Sequence, residues 1–355
     1  MEELNLNVNQ FPGLTWNFLG INRAEFFFKC EKNAVPQTEE ISGSIKKREE
    51  IFCGEEIQTG LGKEFDGAFD SAKKRLCIST TIFCAAENSA DGFAKIEFDA
   101  SQNKNSAADF FIHAEKNSRS VFLFSVKGSA GSENFFGARF KIRAEENSSV
   151  KIFLANLSES GAVFFSSLGS ECADSALVET TEISLGGGKN FLGEFHNLSG
   201  RKSSFAGKSS FILGGKNFLD MNQVVCQRGK NSASKFEVDG VLLDDAKKIW
   251  RGTIDFKNGC TESTGDEQED VLLLGERVVN KSLPVILCDE ENVEGRHGCS
   301  IGRLDEKKLF YMQSRGVDEK SARTLLAKAK VSKVSRLIPD EKLRNEIDSF
   351  VEKIL

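Results

Sequence analysis

The sequence predicts a mainly β protein: a parallel β-helix core preceded by a mixed N-terminal region and followed by a small α-helical domain. Three observations carry that reading. Short bursts between residues 76 and 302 alternate apolar and polar, as in Phe93-Ala94-Lys95-Ile96-Glu97-Phe98 and Ala138-Arg139-Phe140-Lys141-Ile142-Arg143, and a period of two is the strand signal. Asn-Ser pairs recur between the bursts, at Asn88-Ser89, Asn105-Ser106, Asn117-Ser118, Asn147-Ser148 and Asn231-Ser232; asparagine tolerates positive φ, so these are corners. Finally, Gly187-Gly188-Lys189-Asn190-Phe191-Leu192 returns as Gly214-Gly215-Lys216-Asn217-Phe218-Leu219, a spacing suited to rungs that stack on one another. The competitor is a sandwich of hairpins. Its preferred Asn-Gly and Asp-Gly turns are few: Asn258-Gly259, Asp239-Gly240, Asp66-Gly67 and Asp91-Gly92.

Residues 1–75 form the mixed region, opening on the extended Phe11-Pro12-Gly13-Leu14-Thr15-Trp16-Asn17. Residues 76–302 form the β-helix. The chain has 30 Phe against one Tyr and two Trp, which suits inward rings stacked along an axis, because Phe needs no hydrogen-bond partner when buried. Gly186-Gly187-Gly188-Lys189-Asn190 is a glycine-rich corner rather than a phosphate loop, since no G-x-x-x-x-G-K-[ST] pattern occurs. The acidic run Asp266-Glu267-Gln268-Glu269-Asp270 is expected to be a solvated loop before Val271-Leu272-Leu273-Leu274. At residue 303 the period becomes 3.6. Asp305 caps a helix carrying Leu309, Phe310 and Met312 that stops at Gly316. Asp318 caps a second with Ala322, Leu325, Leu326 and Ala329 on one face. Pro339 opens a third with a stripe of Leu343, Ile347, Phe350, Val351 and Ile354. These helices are expected to cover an open sheet edge and present a docking surface.

A length of 355 residues fits two or three domains, or one elongated repeat domain with additions. The formal charge of −6 argues against broad binding of nucleic acid or anionic membranes. No apolar run reaches 18 residues and the opening Met1-Glu2-Glu3 lacks a signal core, so a cytoplasmic protein is expected. The nine cysteines, Cys30, Cys53, Cys77, Cys84, Cys172, Cys226, Cys260, Cys288 and Cys299, include no CxxC or CxxxC pair. They are expected to be free thiols acting as small hydrophobes, and no stably bound metal is expected on the isolated chain. Nucleophile-elbow and H-E-x-x-H motifs are missing, and His113 and His196 read as wall residues. A β-helix carbohydrate enzyme would need a carboxylate pair and an export signal, and neither is evident. The densest constellation is Gly295-Arg296-His297-Gly298-Cys299-Ser300: an imidazole and a thiol two residues apart share one side of a strand. Both can ligate soft metals or iron–sulfur species.

The stretch Leu283-Pro284-Val285-Ile286-Leu287-Cys288 through Glu294-Gly295-Arg296-His297-Gly298-Cys299-Ser300-Ile301-Gly302-Arg303-Leu304-Asp305 resembles the C-terminal signature of the SufB/SufD scaffolds of iron–sulfur cluster assembly. Leu309-Phe310-Tyr311-Met312-Gln313-Ser314-Arg315-Gly316, Trp250-Arg251-Gly252-Thr253-Ile254 and Leu14-Thr15-Trp16-Asn17 add to the likeness. It is strongest over residues 220–355. The resemblance implies a right-handed parallel β-helix and a non-enzymatic scaffold. It implies a SufB-like partner, or a second copy of the chain, joined through the β-helices, with a SufC-type ABC ATPase on each helical domain. Any iron–sulfur cluster would be transient, formed in the complex. Glu269, where SufB-like chains place a cysteine, and His297-Gly298, where they place His-Glu, point to the SufD-like branch. His297 is carried over as the candidate metal ligand at the assembly interface, with Glu269, Cys299 and Cys260 beside it. Leu309, Phe310, Tyr311 and Arg315 are carried over for ATPase docking. Departures from the pattern are Gly295 in place of a cysteine, Cys299 and Cys260 in place of alanines, and Cys226 in place of a histidine. A self-sufficient SufB-like homodimeric scaffold is the alternative.

Overall fold

The computed structural model describes residues 2–13, 15–51, 56–129, 134–159 and 161–355; Leu14 and Cys53 lie outside them. Strands β1 (Glu2–Val8) and β2 (Ala24–Cys30) form an antiparallel pair. They are followed by β3 (Lys32–Asn33), β4 (Thr38–Ser42), β5 (Ile45–Glu50) and helix α1 (Lys63–Leu76). Sixteen strands then alternate between two walls: β6 (Thr80–Ala85), β7 (Gly92–Asp99), β8 (Ser106–Ala114), β9 (Arg119–Ser129), β10 (Phe135–Ala144), β11 (Ser149–Glu159), β12 (Val163–Cys172), β13 (Leu177–Ser184), β14 (Lys189–Leu198), β15 (Ser204–Leu213), β16 (Phe218–Gln227), β17 (Ala233–Leu242), β18 (Lys247–Phe256), β19 (Ser263–Leu273), β20 (Val279–Cys288) and β21 (Val293–Arg303). Even-numbered strands stack in one parallel sheet and odd-numbered strands in the other. The result is a β-solenoid of about 8 turns, with 53% of residues in strands.

The corners are where the Asn-Ser pairs put them. Asn88, Asn105, Asn117, Asn147 and Asn231 all have φ between 50° and 59°. Asn117 donates to Asn88 and Asn147 to Asn117, each at 2.8 Å, so the corners form a hydrogen-bonded ladder. Of the dipeptides that a sandwich would use as turns, Asp239-Gly240 lies inside β17 and Asp66-Gly67 inside α1. The glycine echo sits on successive rungs, but Lys189 pairs with Phe218, two residues past its sequence counterpart Lys216. A slip of two keeps each side chain on its own face.

Phenylalanine is concentrated in two cores, not one. Phe83, Phe98, Phe110, Phe122, Phe124, Phe136, Phe140, Phe205, Phe236 and Phe256 line the solenoid interior. A second set, Phe26, Phe28, Phe65, Phe69, Phe135, Phe165 and Phe191, packs outside the even sheet, beneath β1, β2 and α1. Fully burying each such ring contributes roughly 1.5–3 kcal/mol. Helix α1 has no counterpart in the sequence reading. Its Phe65, Phe69 and Ala72 are fully buried, and Lys73 and Asp70 bind the Asp109–Arg139 pair of the wall at 2.6 and 2.7 Å.

The C-terminal helices correct one expectation. Helices α2 (Glu306–Ser314), α3 (Glu319–Ser335) and α4 (Glu341–Ile354) are capped by Asp305, Asp318 and Asp340. They do not cover a sheet edge. Val331, Val334, Ile338, Leu343, Ile347 and Val351 instead pack on Phe153, Leu157, Ile183, Ile212 and Val241 of the odd sheet's outer face. The stripe read on α3 is also split: Ala322 is buried, but Leu325 is 53% exposed and Ala329 faces out. The β-branched Val331 and Val334 define the packed face. No described helix is long and apolar enough to cross a membrane.

Candidate functional site

The two ends of the solenoid differ, and the difference places the site. At the first rung, β4 and β5 run antiparallel along β7 and β6 and cap the two sheets with short, charged end strands. At the last rung, β20 and β21 are the terminal strands of their sheets. Two edges of 10 and 11 residues therefore expose unpaired backbone groups, which natural proteins usually cover or interrupt.

Side-chain alternation decides what this open mouth contains. Gly265 and Gly295 abut the interior residues Ile254, Phe256 and Ile286, so Glu267, Glu269, His297 and Cys299, at even offsets from them, point the same way. Register sets His297 directly beside Glu267 and Cys299 beside Glu269. The acidic run is thus not a loop. It is strand β19, with Glu267 and Glu269 buried inward and Asp266, Gln268 and Asp270 on the outer side.

Glu267 is the residue that sequence reasoning missed. It is fully buried under the last rung, neither carboxylate oxygen has a well-formed hydrogen bond, and burial pushes its carboxyl up to about 8. Reading the run as a strand would have found it, because alternation carries Glu267 and Glu269 inward together. Glu269 is held by the buried Lys248 ammonium, which also donates to Ser282 Oγ at 3.1 Å. Burial and then the neighbouring Glu269 charge push the Cys299 thiol up to about 11, so at neutral pH it is a protonated thiol rather than a ready thiolate ligand. The mouth offers an imidazole, a thiol and a largely protonated carboxyl on a floor closed by an ion pair.

Cys260 does not join them. It lies fully buried in the corner before β19, packed into the interior core. Cys226 is buried in β16 on the other wall. Trp250 of the family-like run points inward and donates to Gln223 at 2.9 Å, whereas Arg251 points outward and pairs with Asp220 at 2.7 Å. On α2, Phe310 and Tyr311 are 72% and 59% exposed, Arg315 covers the Tyr311 ring at 5.4 Å, and Leu309 is half-buried. No residue of α2 is buried. The other histidines serve the walls: His196 is buried between Ser170 and Glu194, and His113 meets Glu145 at 2.8 Å.

A two-walled solenoid with one capped and one open end, and side chains of metal-ligating type at the open one, defines a class of β-solenoid proteins. The particular family follows from comparison. The profile described as SUF system FeS cluster assembly, SufBD core domain, matches residues 98–330, and the chain belongs to this SufB/SufD family of iron–sulfur cluster assembly scaffolds. It is 29% identical over 125 residues to the iron–sulfur cluster assembly protein SufD of Bacillus subtilis, covering 35% of this chain and 29% of that one. A SufBD family protein of Pyrococcus horikoshii is 27% identical over 162 residues, 45% of this chain and 36% of the relative. SufD of Escherichia coli is 22% identical over 107 residues, 30% of this chain and 25% of the relative. The chain thus spans little more than a third of these relatives at most.

Proposed function

We propose that the chain is a SufD-like scaffold subunit that catalyses no reaction itself and pairs with a SufB-like chain through the open last rung. The observation that carries this reading is the mouth itself: two uncovered parallel edges framing inward-facing His297 and Cys299 above the unpartnered Glu267. A partner completing both sheets would bury those groups and could supply the remaining ligands of a cluster, which usually takes four. The cluster is cargo of the complex, and the isolated chain holds none. In that complex His297→Ala leaves pairing intact and lowers cluster yield, read by anaerobic reconstitution; an unchanged yield would remove His297 from the assembly site.

Helix α2 is proposed as the docking point for a SufC-type ATPase, with Phe310, Tyr311 and Arg315 as its contacts. Its exposed aromatic face and lack of buried residues support this, because a helix that contributes nothing to the core is free to serve a partner. Deleting residues 305–355 would be a poor test, since α3 and α4 cover an apolar face of the solenoid. Phe310→Ala with Tyr311→Ala is the clean one: loss of ATPase co-purification with unchanged circular dichroism is expected, and retained binding would move docking elsewhere. The homodimeric alternative is favoured by one observation, Cys299 beside His297 on the same inward face. A stoichiometric cluster on the chain alone would establish it.

A further inference from the structure

At the opposite end of the solenoid, on its outer wall, three metal-ligating side chains that the sequence scatters are brought together. Cys84 of β6 pairs with His113 of β8. Both point outward, because their neighbours Phe83, Ala85, Ile112 and Ala114 belong to the interior core. Glu115 follows in the adjoining corner. One ligand atom from each, a Cys84 sulfur, a His113 ring nitrogen and a Glu115 carboxylate oxygen, lies within 4.8 Å of the others.

From this geometry we infer a zinc-type divalent cation site formed by Cys84, His113 and Glu115. Tetrahedral zinc, with bonds of about 2.0–2.3 Å, holds its ligand atoms roughly 3.5 Å apart, so rotamer adjustments of about an ångström bring the three side chains into place, with water as the fourth ligand. The surroundings are already ordered. The Glu87 amide fixes one Glu115 oxygen at 2.9 Å while the other accepts from the Cys84 thiol at 3.3 Å. Glu145, one rung on, holds His113 Nε2 at 2.8 Å, the carboxylate–imidazole pairing that orients ligating histidines and raises their basicity. The corner that Glu115 opens also carries Asn117 of the Asn88–Asn117–Asn147 ladder. None of the three ligands fills the core, and a thiol, a carboxylate and an imidazole that converge at a fixed corner have the donor set zinc takes.

The charge balance is simple. The Cys84 thiol, which burial and then Glu115 push up to about 11, gives its proton to solvent as the sulfur binds the cation. The site changes from one net negative charge to none, and binding weakens as pH falls. Lys46 and Arg48 of β5 and Glu115 act on the thiol with opposite signs, and His113 and Glu145 complete the charged surroundings. The absence of CxxC hid this site, because a solenoid assembles ligands from successive rungs rather than from neighbours in sequence.

The test uses the full-length protein stripped of metal, titrated with zinc against a chromophoric chelator and with cobalt as a spectroscopic probe. One tight equivalent and a sulfur-to-cobalt charge-transfer band are expected. Glu145→Gln should lose about tenfold in affinity, and Cys84→Ser and His113→Ala more than that, with loss of the band in Cys84→Ser. Cys77→Ser and His297→Ala should change nothing. Circular dichroism confirms that each variant is folded. Tight zinc retained by Cys84→Ser, or lost on His297→Ala instead, would overturn the assignment.

Discussion

The closed and open ends of this solenoid bury charge in opposite ways. At the closed end Asp109 sits between Arg139 and Lys73, 2.9 and 2.6 Å away. Burial alone would raise its carboxyl, but the two cations overcome that and hold it down at about 2. At the open end Glu267 has no cation, and burial drives it up to about 8. The first arrangement fixes α1 to the wall. The second leaves a carboxyl waiting for a partner, which is how a polar group without a structural role marks a site.

Breaking the closed end should have the largest effect. Asp109→Ala removes the buried counter-charge of Lys73 and leaves Arg139 to Asp70 and Asp66 at the edge of the network, and should cost about 3–5 kcal/mol in urea unfolding. A loss under 1 kcal/mol would show the network to be incidental. Next, the two ends should respond to pH with opposite signs. Asp109 is depressed when folded, so its contribution is complete above pH 4 and fades as pH falls toward 2, by about 2–3 kcal/mol. Glu267 is raised when folded, so its contribution is complete below about pH 4 and is lost as pH rises through 8. Glu267→Gln should therefore be more stable than wild type at pH 9 and lose that advantage near pH 4, read from thermal midpoints; the same offset at both pH values would contradict the burial of an ionisable carboxyl.

A smaller effect on stability, and a decisive one on assembly, is expected at the edge. Ile301 follows Cys299 at the mouth and is 43% exposed. Ile301→Lys should change stability by less than about 0.5 kcal/mol yet abolish pairing, measured by light scattering after size exclusion. The smallest effect is expected for Cys299→Ala. Its exposed thiol is protonated at neutral pH, so cluster yield in the complex should barely move, and a loss matching that of His297→Ala would instead make it a ligand.

How much of this the sequence disclosed follows from the range of each signal. Corners were legible because Asn88, Asn117 and Asn147 act through local backbone preference. The strands were legible from their period-two bursts and the stacking of rungs from the glycine echo, whereas the division into two walls was not read. Helix α1 was missed because Phe65, Phe69 and Ala72 meet Phe26 and Phe165, partners that lie far away in sequence. The run at 266–270 was misread because its charges suggested solvent, whereas Lys248 and the last rung supply its actual surroundings. His297 was legible as a candidate ligand from its spacing to Cys299, its role only through family resemblance, and Glu267 beside it through neither.

The pair of cap strands β4 and β5, one on each sheet, has a further consequence. A parallel solenoid is a stack with a head and a tail, and a stack that is adhesive at both would grow without limit into a fibre. Here the head is blunted by two short antiparallel strands carrying Glu39, Glu40, Lys46, Lys47, Arg48, Glu49 and Glu50, charges that disfavour pairing at that edge. If two tails meet, whether alike or different, growth stops there, because β4 and β5 work as chain terminators at the far ends.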